Sequence, residues 1–267
     1  ISANLNRILL ILTVVSFIPQ ILRIWTKKNI KGISSFYILF NLISATEQLT
    51  IYIYLLFNEY DPKGGTIFLH TPPSAGDWFS LCHCAIVSIL SFALFVLVLY
   101  YSEYRFCLSA GYTGFLLVSI IPLVIDAIFD FDDEGRRWLS AVYFALHFFL
   151  LYQIITILGV LAIWRQAREI RAVPFPNALS LQSLCSQAVV FTLLTAAWIW
   201  SLPFPYDKLQ GHWNWNTFSI WYGAIGWVIV DNFIFAVGQA ALFVMAMRCS
   251  SAGNDIRRGR ETEPLLG

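Results

Sequence analysis

The 267-residue chain has few charged residues. Asp, Glu, Lys and Arg make up 12% of it, whereas 58% of the residues are hydrophobic and 16% are aromatic. An ordinary soluble domain carries about 25% charged residues, so this chain has too few to cover a water-exposed surface. Intrinsic disorder is also excluded, because 22 Phe, 12 Tyr and 10 Trp have to be buried somewhere. We therefore expect an integral membrane protein.

Several chemical signals are missing as well. The net charge of +1 excludes a nucleic-acid binder that works by bulk electrostatics. The five cysteines lie within apolar runs or at their ends, so we expect no disulfide. The spacing of Cys82 and Cys84 places their thiols on different helix faces, which is poor geometry for a metal. No phosphate loop, nucleophile elbow, zinc motif or haem motif occurs, so we expect no catalytic residue, no metal and no cofactor.

Seven apolar runs are long enough to cross a bilayer, which needs about 20 apolar residues per helix. The runs are continuous rather than alternating every second residue, which argues against a strand barrel. We place them near residues 5–25, 34–57, 78–101, 109–130, 139–164, 180–202 and 219–247. The sequence thus predicts an all-α membrane protein with seven transmembrane helices.

The basic residues indicate an orientation. Twelve Lys and Arg side chains fall on one side of the predicted bilayer and five on the other. Loops rich in Lys and Arg stay in the cytosol, so we expect a lumenal or extracellular N-terminus and a cytosolic C-terminal tail.

The two halves of the chain share a pattern. Pro19 and Gln20 stand before a basic loop, and Ser34 opens the next predicted helix. A shift of 146 positions aligns Ser34 with Ser180 and Gln20 with Gln166, so that both glutamines precede their serine by 14 residues. Internal repeats of this kind are typical of transporters. A unit of three helices ends on the opposite side of the membrane from where it begins, so a second unit that follows directly would be inverted. One linking helix between the units makes them parallel, which predicts a 3+1+3 arrangement of two bundles.

Pro19-Gln20 followed by Lys31, Gly32, Ile33 and Ser34 resembles the first motif of the PQ-loop family. That family includes cystinosin-like and lysosomal or vacuolar cationic amino acid transporters and is related to the SWEET sugar carriers. The second copy departs from the motif, with Arg165 where a proline would stand. The resemblance implies solute transport by alternating access. It also implies four segments: 1–103 as the first bundle, 104–135 as the linker helix, 136–248 as the second bundle and 249–267 as a cytosolic tail.

Pro19, Gln20 and Gln166 are the candidate hinge and gating residues. Proline inside a membrane helix frees the carbonyl four residues back and permits a kink. Gln20 can satisfy that backbone or contact a neighbouring helix. The alternative is a static kink without gating.

Ionisable residues inside spans are costly and are therefore functional candidates. Asp231 lies about 18 Å into the seventh helix, near the midplane, and resembles the family's seventh-helix aspartate, which is associated with proton coupling. His83 lies at a similar depth, and Glu47 lies in the lumenal half of the second helix. These three are the predicted proton-coupling residues, although each could instead serve packing. We interpret Asp126 as structural, with His147 as its possible partner.

The amides Asn41, Gln187 and Asn232 are candidates to line a polar solute path, or alternatively to hold helices together. Tryptophans such as Trp215 and Trp227 indicate an interfacial belt.

The tail contains a possible sorting signal. Glu261, Leu265 and Leu266 fit an acidic dileucine pattern, which clathrin adaptors bind on cytosolic tails of endosomal, lysosomal and vacuolar proteins. The alternative is a polar tail without such a role.

Four functions remain open. The first is proton-coupled transport of a small solute, with an amino acid favoured, out of a lysosome or vacuole. The second is a proton-independent facilitator of a sugar or other solute, and the third is a seven-helix receptor or scaffold. A membrane-embedded enzyme that uses Asp126 and Glu47 as acids is the fourth, against which the motif argues. The expected partners are lipids, the solute and protons, but no nucleic acid.

Overall fold

The computed structural model describes residues 3–57, 73–128, 133–173, 178–201 and 214–262. This part of the chain is helical and contains no strand. Seven of its helical segments are long and apolar enough to cross a membrane. The predicted class, an all-α membrane protein with seven spans, is thereby confirmed.

Nine α-helices and two π-helical turns build these seven spans within the described ranges. The helices are α1 (Ala3–Lys27), α2 (Ser35–Phe57), α3 (Ala75–Tyr101), α4 (Arg105–Ile128), α5 (Asp133–Leu146), α6 (Tyr152–Ala172), α7 (Leu181–Ser201), α8 (Trp215–Trp221) and α9 (Trp227–Thr262). The first π turn, His147–Leu151, joins α5 to α6, and the second, Tyr222–Gly226, joins α8 to α9. Each joined pair is one continuous span.

Local signals set where the helices begin and end. Ser74 caps α3 in a capping box, in which Ser74 accepts from the Asp77 backbone N–H and Asp77 accepts from the Ser74 backbone N–H. The loop after α1 turns sharply because Lys28 and Gly32 both adopt positive φ, 51° and 90°. Glycine tolerates that conformation at position 32 without a Cβ clash. Ser180 accepts from the Ser183 backbone N–H and so caps α7.

The helices pack in two triplets. In the first, α3 packs against both α1 and α2, and in the second, α9 packs against both α6 and α7. Across the triplets, α2 contacts α6 and α1 contacts α7, while α4 contacts α2, α3 and α5. A 3+1+3 arrangement groups its helices in this way. We call the end of the molecule that carries residues 28–34 and 178–180 the loop end.

The contact between the triplets follows the internal repeat at the loop end. Ile24 and Ile170, which the shift of 146 makes equivalent, are both fully buried. Ile33 and Leu179 are also equivalent and buried. The two copies therefore bury the same positions, although few of their residues are identical.

Candidate functional site

Two adjoining cavities lie between the triplets. The loop-side cavity has about 460 Å³ free of protein atoms and the mid-span cavity about 550 Å³, open solvent included. Phe17, Asn41 and Phe235 line both, so the two cavities adjoin along the helices.

The predicted path residues meet here. Asn41 and Gln187 line the loop-side cavity, while Asp231 and Asn232 line the mid-span cavity beside Asn41. The walls of the loop-side cavity are largely pairs that the 146-residue shift relates: Ile33 with Leu179, Tyr37 with Ser183, Ile38 with Leu184 and Asn41 with Gln187. The path thus follows the axis that relates the two repeats.

Gln20 holds the loop of the other repeat. Its Nε2 donates to the Ala178 carbonyl oxygen at 2.9 Å, and the Ser180 backbone N–H donates to its Oε1 at 2.8 Å. The side chain therefore satisfies one donor and one acceptor just before α7 begins, where the backbone has no helical partners.

Gln166, in the second repeat, makes the equivalent bonds to the loop of the first repeat. Its Nε2 donates to the Gly32 carbonyl oxygen at 2.7 Å, and the Ser34 backbone N–H donates to its Oε1 at 2.9 Å. The shift of 146 relates Gly32 to Ala178 and Ser34 to Ser180. We call the four bonds of Gln20 and Gln166 the glutamine latch. Both amides are buried, and the latch joins the two triplets at the loop end.

Pro19 lies inside α1 without ending it. Because proline has no N–H, the Val15 carbonyl lacks its donor within the helix. The next carbonyl, that of Ser16, accepts a hydrogen bond from Ser183 Oγ of α7 at 2.7 Å. The weakened turn of α1 is therefore bound to the second triplet, while Gln20 is engaged in the latch.

Asp231 lies at the mid-span cavity and begins a series of hydrogen-bonded side chains. Thr156 Oγ1 of α6 donates to Asp231 Oδ1 at 2.6 Å. The Tyr222 hydroxyl lies 2.6 Å from the same oxygen of Thr156 and donates to the Tyr152 carbonyl oxygen at 3.2 Å. His83, buried in α3, is not among the hydrogen-bond partners of Asp231 in the described part of the chain, and its Nε2 has no partner there. The structure therefore does not join His83 to Asp231 by a hydrogen bond.

Glu47 forms a second buried acid site, which lies outside the cavity walls. His147 Nδ1 pairs with one carboxylate oxygen, and Ser119 Oγ donates to the other at 2.9 Å. Both Glu47 and His147 are 1% exposed, and the Tyr143 ring lies 4.1 Å from the imidazole. The pair links α2 with α4 and the first π turn. His147 is thus paired with Glu47; the side chain of Asp126 lies outside the described part of the structure.

The two π turns pack against each other, which the sequence analysis missed. The Phe148 ring of the first turn fills the space beside Gly223 of the second, and the Tyr152 ring stacks on Trp227 at 4.6 Å. Tyr152 and Trp227 are the residues that close the two turns, by donating to the carbonyls five residues back. Each π turn also supplies one partner of an acid site, His147 or Tyr222. Such turns often lie at functional sites.

Other candidates stand apart from this site. The five cysteines are free. Within the described residues, no group of three or more His, Cys, Asp or Glu is arranged to hold a metal ion. Leu265 and Leu266 of the possible sorting signal lie outside the described residues, and Glu261 falls in the last turn of α9.

The fold and the site define a helical membrane protein with cavities between two triplets of helices. Residues 1–63 match the family model of the PQ loop repeat. The chain therefore carries a PQ-loop repeat, formed by α1, the first loop and α2, and its seven apolar helices are consistent with the seven-helix PQ-loop proteins. No curated protein and no solved structure matches the chain.

Proposed function

We propose that the protein is a transporter that moves a small solute along the path between the two repeats by alternating access. This proposal is supported by two features taken together: the cavities between the repeats and the hydrogen bonds that join the repeats at one end. The two cavities adjoin along the repeat axis, and the glutamine latch closes them at one end through four hydrogen bonds. A path closed by bonds between two bundles opens when the bundles tilt apart, as alternating access between repeats requires.

Proton coupling through Asp231 is the second part of the proposal. A carboxyl group buried between membrane helices is costly to ionise, so a proton that neutralises it changes the energy of the site. Asp231 touches the path and reaches the second π turn through Thr156 and Tyr222. Protonation and solute occupancy can therefore act on the same part of the molecule. Glu47 and His83 are further candidates for proton binding, Glu47 with His147 as its partner.

The charge distribution indicates how the protein is oriented in the membrane. We propose that the loop end faces the cytosol, because twelve of the 17 Lys and Arg side chains fall on that side, among them Lys28 and Lys31 of the loop after α1 and Arg165, Arg168 and Arg171 of α6. An acidic lysosomal or vacuolar lumen would then load the proton, and an amino acid is the favoured solute. Surface relocation of a Leu265→Ala/Leu266→Ala variant would support sorting through the tail, and unchanged localisation would contradict it.

Transport in reconstituted vesicles tests the proposal. A panel of amino acids and sugars is offered to the full chain with and without an imposed pH gradient. We expect the gradient to drive uptake by the wild type and Asp231→Asn to lose that response, because an amide does not exchange a proton. Gln182→Leu, a change at an exposed side chain of α7, serves as the control.

Each part can fail separately. Gradient-independent flux that is equal in wild type and Asp231→Asn would support a proton-independent facilitator and contradict the coupling. If no solute moves although ligands bind, the receptor or scaffold reading replaces transport.

A further inference from the structure

A large open cavity at the loop end lies beside the glutamine latch rather than in the path. It encloses about 1410 Å³ free of protein atoms, open solvent included. Its walls are the loop after α1, the junction of α3 and α4, and the last turns of α6. It is therefore bounded by elements of both triplets.

The charged side chains of this cavity are unbalanced. Lys28 and Lys31 line it from the loop, and Arg165 and Arg168 line it from α6. Two acids, Glu103 and Glu169, also line it, which leaves two more basic than acidic side chains.

The four basic groups are also without ion pairs. Within the described residues, none of them has a carboxylate oxygen within 4.0 Å. Like charges repel one another when no anion lies between them. An anion with two or more negative charges would balance this cavity.

Aromatic rings hold the two arginines in place. The Arg165 guanidinium lies 5.2 Å from the centre of the Phe36 ring, and that of Arg168 lies 4.9 Å from the Trp164 ring. Stacking of this kind leaves the N–H groups at the edge of the guanidinium available to bind phosphate. Tyr101 and Tyr104 add to the walls, and aromatic residues of this type lie at headgroup level in membrane proteins.

The positions around Gln20 that are equivalent in the internal repeat carry none of these four charges. The shift of 146 places Pro174 and Asn177 at the positions of Lys28 and Lys31, and Pro19 and Leu22 at those of Arg165 and Arg168. Arg165, which stands where the motif would have proline, thus supplies charge beside Gln166 instead of a break in the helix. The departure of the second motif from the family pattern has a physical counterpart in this cavity.

We propose that the cavity binds the multiply phosphorylated headgroup of an anionic lipid in the leaflet at the loop end. Basic pockets between helix ends on the cytosolic side are suited to such headgroups. The bound phosphates would join Lys28 and Lys31 of the loop to Arg165 and Arg168 of α6. These are the two elements that Gln166 already connects, so the lipid would hold the latch closed.

Binding of a fluorescent short-chain phosphatidylinositol bisphosphate to the purified full chain tests the proposal, and no transport assay is needed. We expect saturable binding that weakens with salt, a higher melting temperature of the complex, and no binding of short-chain phosphatidylcholine. Arg165→Gln/Arg168→Gln should weaken binding about fivefold for each charge removed. Lys28→Gln/Lys31→Gln should weaken it similarly.

The control is Arg171→Gln, which removes one positive charge, against two in each double variant, from an exposed position of α6 outside the cavity. This variant should bind as the wild type does. Equal weakening by Arg171→Gln, unchanged binding in both double variants, or no binding to the wild type would overturn the proposal. Free inositol bisphosphate should compete weakly; if it binds as tightly as the lipid, the site is one for soluble phosphates and the lipid assignment is wrong.

Discussion

Several buried side chains among the described residues pair with residues far away in the chain, and three of them are central to the site. Gln20 bonds residues 178 and 180, Gln166 bonds residues 32 and 34, and Glu47 pairs with His147. These side chains are buried, so a polar group without a protein partner would be costly there. Each pair is therefore a constraint on how the helices assemble, and the acid pair is the easiest to test alone.

At the residue scale, we predict that Glu47 and His147 depend on each other. His147→Phe should lower the free energy of unfolding by about 3 kcal/mol, because breaking a buried pair leaves the other partner uncompensated. Glu47→Leu should cost a similar amount. The double variant should cost clearly less than the two losses added, because neither polar group then remains. Denaturant unfolding in detergent measures all four forms.

The unfolding experiment on Glu47 and His147 has a simple control. Ser119→Ala removes one hydrogen bond to the same carboxylate and should cost only about 1 kcal/mol. Strictly additive losses in the double variant would show that the two residues do not interact.

At the element scale, the close packing of the two π turns depends on a glycine. A Cβ at Gly223 would lie 1.7 Å from Cε2 of Phe148, so one of the turns has to move. We predict that Gly223→Ala lowers the free energy of unfolding by about 1–3 kcal/mol, the usual cost of overpacking. Thermal or denaturant unfolding measures the loss.

Two further variants make this test specific. Gly114→Ala in α4 is the control, because a Cβ there meets nothing within 4 Å and alanine favours a helix. Phe148→Leu combined with Gly223→Ala should recover part of the loss by making room. If Gly223→Ala and Gly114→Ala have equal effects, the contact between the turns does not limit stability.

At the scale of the whole molecule, the latch sets whether the path is open at the loop end. We predict that Gln20→Leu and Gln166→Leu each expose the path, since each removes two hydrogen bonds worth about 1 kcal/mol apiece. In a cysteine-free background with Ile38→Cys in the wall of the loop-side cavity, a membrane-impermeant thiol reagent should react roughly tenfold faster. Both substitutions together should increase the rate further.

Gln182→Leu is the matched control, because that glutamine lies exposed on α7 and takes no part in the latch. Its labelling rate should equal that of the background. Unchanged labelling in Gln20→Leu and Gln166→Leu would show that the four bonds do not close the path.

The large-scale features were predictable because they depend on the sequence locally. Twenty apolar residues in a row specify a membrane helix whatever surrounds them, and the seven predicted runs correspond to the seven spans. The equal spacing of Gln20 to Ser34 and Gln166 to Ser180 also identified the two residues that hold the loops. Trp227 shows where such local reasoning fails, because it was assigned to an interfacial belt but is buried against Tyr152.

The sequence by itself therefore determined the class of protein, its spans, its repeat and several of its buried polar residues, among them Gln20, Glu47, Gln166 and Asp231. Only the tertiary structure decided which of them meet: Gln20 with the other repeat's loop, Glu47 with His147, and Asp231 with Thr156 rather than His83. The physical reason is that burial in lipid and hydrogen bonding to a partner depend on the sequence over different distances. Burial in lipid acts on each residue of a run separately, whereas a buried polar group is stabilised by one partner at hydrogen-bond distance, and only the packing of helices brings that partner there.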